Sequence, residues 1–444
     1  MFRGKAPSSV GAVQVARPGG RARAALRRCG FFGAFVASAS AISAQPPSPS
    51  DTSSTDELVG CYEPATLNVP ALEGYGTLSL FGSGPGFETC RVTSLKDAGP
   101  GTLRECVENR NGPTEDPIPR TIVFDVAGTS TLLSDLKVRQ PHLTIDGFTA
   151  PPPGITLDKI GDGEEGGIVV NSWPNEGTCG HDVLIQGIRL EGVWEGDSEV
   201  HSNSAGTFGL DGENIPGCLE NVVVNRVTIV RGQDGAGDIW GSARNVTYQY
   251  SAFFWNFHPS SISHSPGGEL EQARENVSLH HNVFAYSHER NPQIRGNNIN
   301  LNYDENVVHR WDAYGFGGGY GIRIRCRNGG CPDNLNFVGN HWTRGGDAPT
   351  HALVLGEVAG SDADEPLIAP EVYEEGNFLP SENLDHGTAV APFPRPPEAR
   401  VTTIPKSSWR TQFLPLVGMP YRTAEEALTF ADVACQLADD MKAR

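Results

Sequence analysis

Four stretches of the chain repeat one pattern of apolar and polar positions. They are ENVVVNRVTIVR from Glu220, RNVTYQYSAFFW from Arg244, ENVSLHHNVFAY from Glu275 and NINLNYDENVVHRW from Asn298. Each opens near an asparagine, alternates through a short strand, breaks at polar residues and resumes as a second apolar run. The leading asparagines, Asn221, Asn245, Asn276 and Asn300, stand 24, 31 and 24 residues apart. HDVLIQGIRLEG from His181 and QPHLTIDGFTAPPPGITL from Gln140 read as earlier members with longer insertions. A period in the twenties, made of short β-runs without helix, predicts a β-solenoid. One such coil cannot bury its apolar face alone, so stacking must continue sheet and core together. Asparagine at a recurring corner suits a left-handed residue, and stacked side-chain amides can bond along the axis. NVT and NVS also match glycosylation acceptors, but the turn reading fits the repeat better.

A different periodicity marks TAEEALTFADVACQLADD near the C-terminus. Thr423 and Glu426 make a capping box, and Ala427, Phe430, Ala431 and Leu437 supply an apolar stripe, which predicts a helix packed against the end or side of the solenoid. The Pro-rich VAPFPRPPEARVTTIP before it reads as an extended strap. At the other end, five arginines between Arg17 and Arg28 precede the apolar run FFGAFVASASAISA, with small residues offering cleavage after Ala41 or Ala44. This is the layout of an export signal, and the run is too short to span a bilayer. The predicted organisation is a signal peptide over 1–44, a polar linker over 45–70, the solenoid over 71–385, and a strap with its helix over 386–444. Secretion or delivery to the periplasm follows as the expected location.

Charge and cysteines narrow the picture. A net charge of −19 argues against nucleic acid as a partner, since a binder of it needs a basic footprint. No other segment is apolar enough for a membrane, and a soluble monomer is expected. An acidic chain can still take an acidic ligand where arginines or a divalent cation bridge the two. Cys29 leaves with the signal, and the remaining eight cysteines, an even number in an exported chain, favour disulfides. CRNGGC makes Cys326 and Cys331 the natural local pair; the others cannot be paired from sequence. They are too dispersed for a zinc site.

Several blocks then occur in a telling order: RVTSLKDAGPGTLRECV, RTIVFDVAGT, LTIDGFTAPPPGITL, HDVLIQGIRL, DGAGDIWGSARNVTYQYSAFFW, HHNVFAYSHERNPQIRG and NVVHRW. Together, from about residue 75 to 312, they resemble the pectate lyase family, whose members fold as right-handed parallel β-helices. The first block is common among β-helical proteins. More specific is R-x-P-x-x-R at Arg290, Pro292 and Arg295, with D-x-x-x-D at Asp234 and Asp238 ahead of it. The expected fold is thus all-β, a single right-handed parallel β-helix with a C-terminal capping helix.

The resemblance implies β-elimination of polygalacturonate. A base removes the C5 proton, α to the C6 carboxylate, and the glycosidic oxygen leaves from C4. The carboxylate must be neutralised and the base must reach C5. Carried over, Arg290 is the base, Arg295 the carboxylate clamp, and Asp234 and Asp238 are calcium ligands, Ca²⁺ being the implied cofactor. An arginine base needs a lowered pKa, from neighbouring cations and burial, or else alkaline conditions. Two departures stand out. Where the family carries a further acidic pair, near HSNSAGTFGLDG, this chain has Ser204 and Gly206, with Asp211 a few residues on. Where the family carries a substrate-binding lysine, it has NFHPSSISHSPGG, leaving His258 or His264 as the substrate-binding substitutes. Two other readings therefore stand beside the lyase: a non-catalytic β-helical carbohydrate-binding or surface module, and a β-helical glycoside hydrolase using Asp234 and Asp238 as its acid and base.

Overall fold

In a computed structural model of the 444-residue chain, the described residues run from Gly60 to Lys442. Residue 62 and the segments 110–116, 160–166, 174–177, 195–206, 213–216, 264–272, 314–318, 326–331, 344–350, 356–371 and 380–390 are outside the description. The export signal, His264, Ser204, Gly206 and the Cys326–Cys331 pair all fall outside it.

Three sheets account for the described strands, as parallel runs of ten, eight and eight strands, with the two-residue strand Thr178–Cys179 pairing antiparallel with Ile168–Trp173 of the third. The first sheet runs from Glu88–Val92 to Val372–Glu375, the second from Gly128–Leu132 to His341–Thr343, and the third from Leu136–Val138 to His351–Leu355. Each coil adds one strand to each sheet in turn. Leu219–Asn225, Thr228–Val230 and Asp238–Gly241 make one coil, and Ala243–Gln249, Ala252–Phe254 and Ser261–Ser263 make the next. Strand alternation sends every second residue inward, and parallel register then stacks like on like. Val222, Val246, Val277, Leu301 and Leu335 form one column, and Ile239, Ile262, Ile294 and Ile324 another. All nine are buried in a single apolar cluster. Phe253 and Phe284 stack with centroids 4.6 Å apart within it.

The corners explain the leading asparagines. Asn221, Asn245, Asn276, Asn300 and Asn334 all have φ between 55° and 60°, the left-handed region that asparagine tolerates better than most residues. Each amide donates to the one below at 2.9–3.0 Å, and Asn221 closes the ladder on Asp182 at 3.0 Å. A second, buried ladder joins Asn282, Asn306, Asn340 and Asn377.

Ends and flanks are covered separately. A short helix, Leu103–Glu108, which the sequence pattern does not predict, buries Leu103, Cys106 and Val107 at the N-terminal end of the stack and is tied to the first strand by Cys90–Cys106. The C-terminal helix, Ala424–Lys442, starts at the expected capping box. Glu426 N–H donates to Thr423 Oγ1 at 3.2 Å, and Thr423 N–H to Glu426 Oε2 at 2.8 Å. Of its two expected placements, the side is the observed one. Glu426 pairs with Arg189, Asp432 accepts from His309 Nε2 at 2.8 Å, and Asp440 from His341 Nε2 at 2.8 Å. Fourteen residues of helix span about 21 Å. The strands they reach are five steps apart in the second sheet, or about 24 Å. The helix therefore runs along the solenoid axis, packing Phe430, Val433, Ala434 and Leu437 against Phe254, Val283 and Ala285. Cys61–Cys435 fastens the N-terminal segment to it, and Cys179–Cys218 links neighbouring coils.

Candidate active site

The site lies along the third sheet and the loops that enter it from the second. With the isoleucine column turned inward, Asp238 and Trp240, Ser261 and Ser263, Gln293 and Arg295, and Arg323 and Arg325 alternate to the outer face. Parallel register pairs Trp240 with Ser263, Ser261 with Gln293, Gln293 with Arg323 and Arg295 with Arg325. The entering loops stack in the same way. Three of them carry Asp234, His258 and the pair Glu289–Arg290, residues far apart in sequence and at one corner in space.

These four side chains close a ring. His258 Nδ1 lies 2.8 Å from Asp234 Oδ1, and its Nε2 lies 3.0 Å from Glu289 Oε1. Arg290 donates one terminal nitrogen to the same Asp234 oxygen at 3.0 Å, and its Nε is 3.5 Å from Glu289. His258 is buried, with both ring nitrogens on carboxylates. Arg290 itself has φ 60°, and a cis peptide bond leads from Asn291 into Pro292. Its backbone is held by Ser260 N–H at 3.1 Å.

The ring sets the charges. Burial works to raise the Asp234 carboxyl, but the His258 hydrogen bond and the Arg290 charge outweigh it and bring it down to about 2. Glu289 falls to about 2 for the same reasons, again against burial. Asp238 goes the other way, up to about 7, through burial and the neighbouring charge of Asp234, with Ser261 N–H at 2.6 Å and the two arginines opposing. Burial acts to lower the Arg290 pKa, but Asp234, Tyr320, Glu289 and Asp238 more than offset it, so the guanidinium is held above its ordinary value. The expectation of neighbouring cations that depress it is thus corrected: its nearest charged neighbours are anions.

Arg295 sits one strand along, its Nε donating to Ser263 Oγ at 2.9 Å and its guanidinium carbon 6.0 Å from the Trp240 ring centre. It acts electrostatically on both Asp234 and Asp238. The structure therefore gathers Arg290, Arg295, Asp234, Asp238 and His258 at one place, while His264 lies outside the described residues. Glu289, Trp240 and Tyr320 belong to the same place and were not read from the sequence. Trp240 was findable, since it lies two residues from Asp238 in a strand. The role of Glu289 depends on a loop from another coil, which no local signal reports.

Calcium fits this donor set poorly. It takes six to eight oxygens. One Asp234 oxygen already serves His258 and Arg290, and one Asp238 oxygen accepts from Ser261. Across the ladder from Asp238 stands Gly209, where an added Cβ would meet no described atom within 4 Å. Among the described residues no group of three or more acidic, histidine or cysteine side chains could hold a metal ion.

No family model matches the chain. Over 256 residues, 58% of its length, it is 31% identical to a probable pectate lyase C of Emericella nidulans, and it spans half the length of that protein. Among solved structures, jun a 1, the major allergen from cedar pollen, is 16% identical with a TM-score of 0.51, covering 78% of this chain and 92% of the allergen. A pectate lyase variant from Xanthomonas campestris is a looser likeness, at 13% identity and TM-score 0.48, covering 79% of this chain and 99% of that one. The fold is the right-handed parallel β-helix that the rungs and motif blocks lead one to expect.

Proposed function

We propose that this chain is a secreted polysaccharide lyase that cleaves pectate, or a related uronate polymer, by β-elimination. One observation carries the reading: the two arginines of R-x-P-x-x-R reach the same acidic cluster, Arg290 at Asp234 and Arg295 within the field of Asp234 and Asp238. The similarity to a probable pectate lyase supports it. Arg295 holds the C6 carboxylate and neutralises it as charge builds at C5. Arg290, as neutral guanidine, takes the C5 proton; the freed electron pair forms the C4–C5 double bond, and the C4–O bond breaks. Water protonates the leaving oxygen. Asp234 and Glu289 position Arg290 from two sides and keep it protonated at rest, so the reaction belongs to alkaline conditions. Calcium is assigned no step, because Asp234 and Asp238 do not make a site for it on their own. Among the described residues no helix is long and apolar enough to cross a membrane.

The ring around Arg290 also favours a second reading, a carbohydrate-binding β-helix whose arginine is locked in ion pairs. The product decides between them. Incubation with polygalacturonate at pH 9 is expected to give a 4,5-unsaturated product absorbing in the ultraviolet. Binding without product would leave the non-catalytic module, and saturated reducing ends without ultraviolet absorption would leave the hydrolase.

A further inference from the structure

We propose that Trp240 and Arg295 together form a subsite for one unesterified uronate. The indole takes the apolar face of the sugar ring, and the guanidinium takes that sugar's carboxylate. The inference deepens the lyase reading and rests on it for the choice of polymer.

Trp240 stands two residues from Asp238 on the same strand, so both side chains leave the sheet on one face, while Ile239 between them is buried inside. The indole is half-buried. Its strand partner is Ser263, and the next strand along carries Arg295. Arg295 turns back over that serine, donating Nε to its hydroxyl at 2.9 Å, and so comes within 6.0 Å of the indole centre. Two strand spacings, roughly 9.6 Å of backbone, separate the two large residues. The small serine between them is what lets them converge.

At 6.0 Å the guanidinium is near enough to orient the ring by cation–π attraction. It does not stack flat on it, which would need about 3.5–4 Å. A pyranose offers an apolar C–H face, and an indole is the largest flat apolar surface a side chain supplies. The carboxylate of a uronate projects one bond beyond the ring, so a sugar on the indole places it where the Arg295 fork can take it. A methyl ester removes the charge and the paired acceptor geometry that the fork matches. The subsite therefore selects free acid over ester, and its position beside Asp238 sets the bound sugar next to Arg290.

Calorimetric titration of the full chain with trigalacturonate and with its methyl ester tests this without requiring turnover. Wild type should prefer the acid. Trp240→Ala should weaken both ligands by about tenfold, the equivalent of about 1.4 kcal/mol, and Trp240→Phe should recover most of the loss. Arg295→Lys should weaken the acid alone and bring the two affinities together. Melting curves show whether each variant is folded. Unchanged affinity in Trp240→Ala, equal loss in the Ala and Phe variants, an acid-to-ester ratio untouched by Arg295→Lys, or no binding of trigalacturonate by wild type would each overturn the proposal. Binding that follows the expected pattern without unsaturated product would reject the lyase and keep the subsite. Product formation with Trp240→Ala affinity unchanged would do the reverse.

Discussion

Arg290 and Arg295 share a residue type, a motif and a face, yet the proposed function gives them different work, and replacement by lysine should separate them. Arg290→Lys moves the basic group and breaks its two-sided hold on Asp234 and Glu289. Its kcat should fall by roughly 10²–10⁴-fold, the loss usual for a displaced acid–base group. Arg295→Lys keeps a charge but loses the fork, so KM should rise with a smaller loss of kcat. Steady-state kinetics on polygalacturonate, with a melting curve for each variant, reads both; near-wild-type kcat in Arg290→Lys would end the assignment. A second prediction concerns pH. Because anions hold the Arg290 guanidinium above its ordinary value, the neutral base is scarce at pH 7 and grows about tenfold per unit. The rate should therefore climb from pH 7 to 10 without a plateau. Glu289→Gln removes one of those anions, so its profile should shift toward lower pH. A profile that Glu289→Gln leaves in place would separate Arg290 from proton abstraction. The motif revealed the arginines because each needs one residue type at one spacing. It did not reveal Glu289, whose contacts to His258 and Arg290 arise from stacked loops.

At the scale of the element, the asparagine corner joins a backbone requirement to a side-chain ladder. Asn276 has φ 60°, donates to Asn245 at 2.9 Å and accepts from Asn300 at 3.0 Å. Asn276→Ala loses two hydrogen bonds, each worth about 1 kcal/mol, and adds about 1 kcal/mol for alanine in the left-handed region. The variant should be less stable by about 2–3 kcal/mol in urea unfolding. Asn276→Gly frees the backbone but still loses the bonds, so it should fall between alanine and wild type. Equal losses for both would mean that the ladder alone matters. The C-terminal helix shows where local pattern stops. Its capping box and apolar stripe were legible, because both are set within one turn or two. Its course along the axis was not, since that depends on Arg189, His309 and His341, contributed by three different coils.

The whole molecule closes over a buried histidine pair. His280 and His281 approach through their Nδ1 atoms at 3.0 Å; His280 Nε2 meets the Glu73 carbonyl of the N-terminal segment at 3.3 Å, and His281 stacks on Tyr250 and meets Phe413 of the C-terminal segment edge-on. Burial lowers His280 to about 4, against the pull of Glu73, and burial with the His280 charge takes His281 well down. The fold thus favours the neutral rings. Above the ordinary histidine value, about 6.5, folded and unfolded chains are equally unprotonated. Between there and about 4 the unfolded chain gains protons that the folded chain refuses, so stability falls with pH. Asp304 and Glu305, pushed up by burial to about 6 and about 7, act in the opposite sense. The quantity to read is therefore the difference between wild type and His281→Asn, which keeps a residue tolerant of φ 54° and cannot titrate. Urea midpoints from pH 7 to 4 should show the variant gaining on wild type as pH falls; parallel curves would mean the pair carries no acid penalty. The sequence by itself determined the coil, its asparagine corners, the capped helix and the two arginines, because each is written in residue types a few positions apart. The tertiary structure alone decided which cysteines of the described residues pair, that the helix lies along the flank, that Asp234, His258, Glu289 and Arg290 close one ring, and that anions rather than cations surround the Arg290 guanidinium. Those outcomes depend on how many residues each coil inserts before its next corner. A side chain's pKa answers to neighbours brought from other coils, which no single stretch of sequence contains.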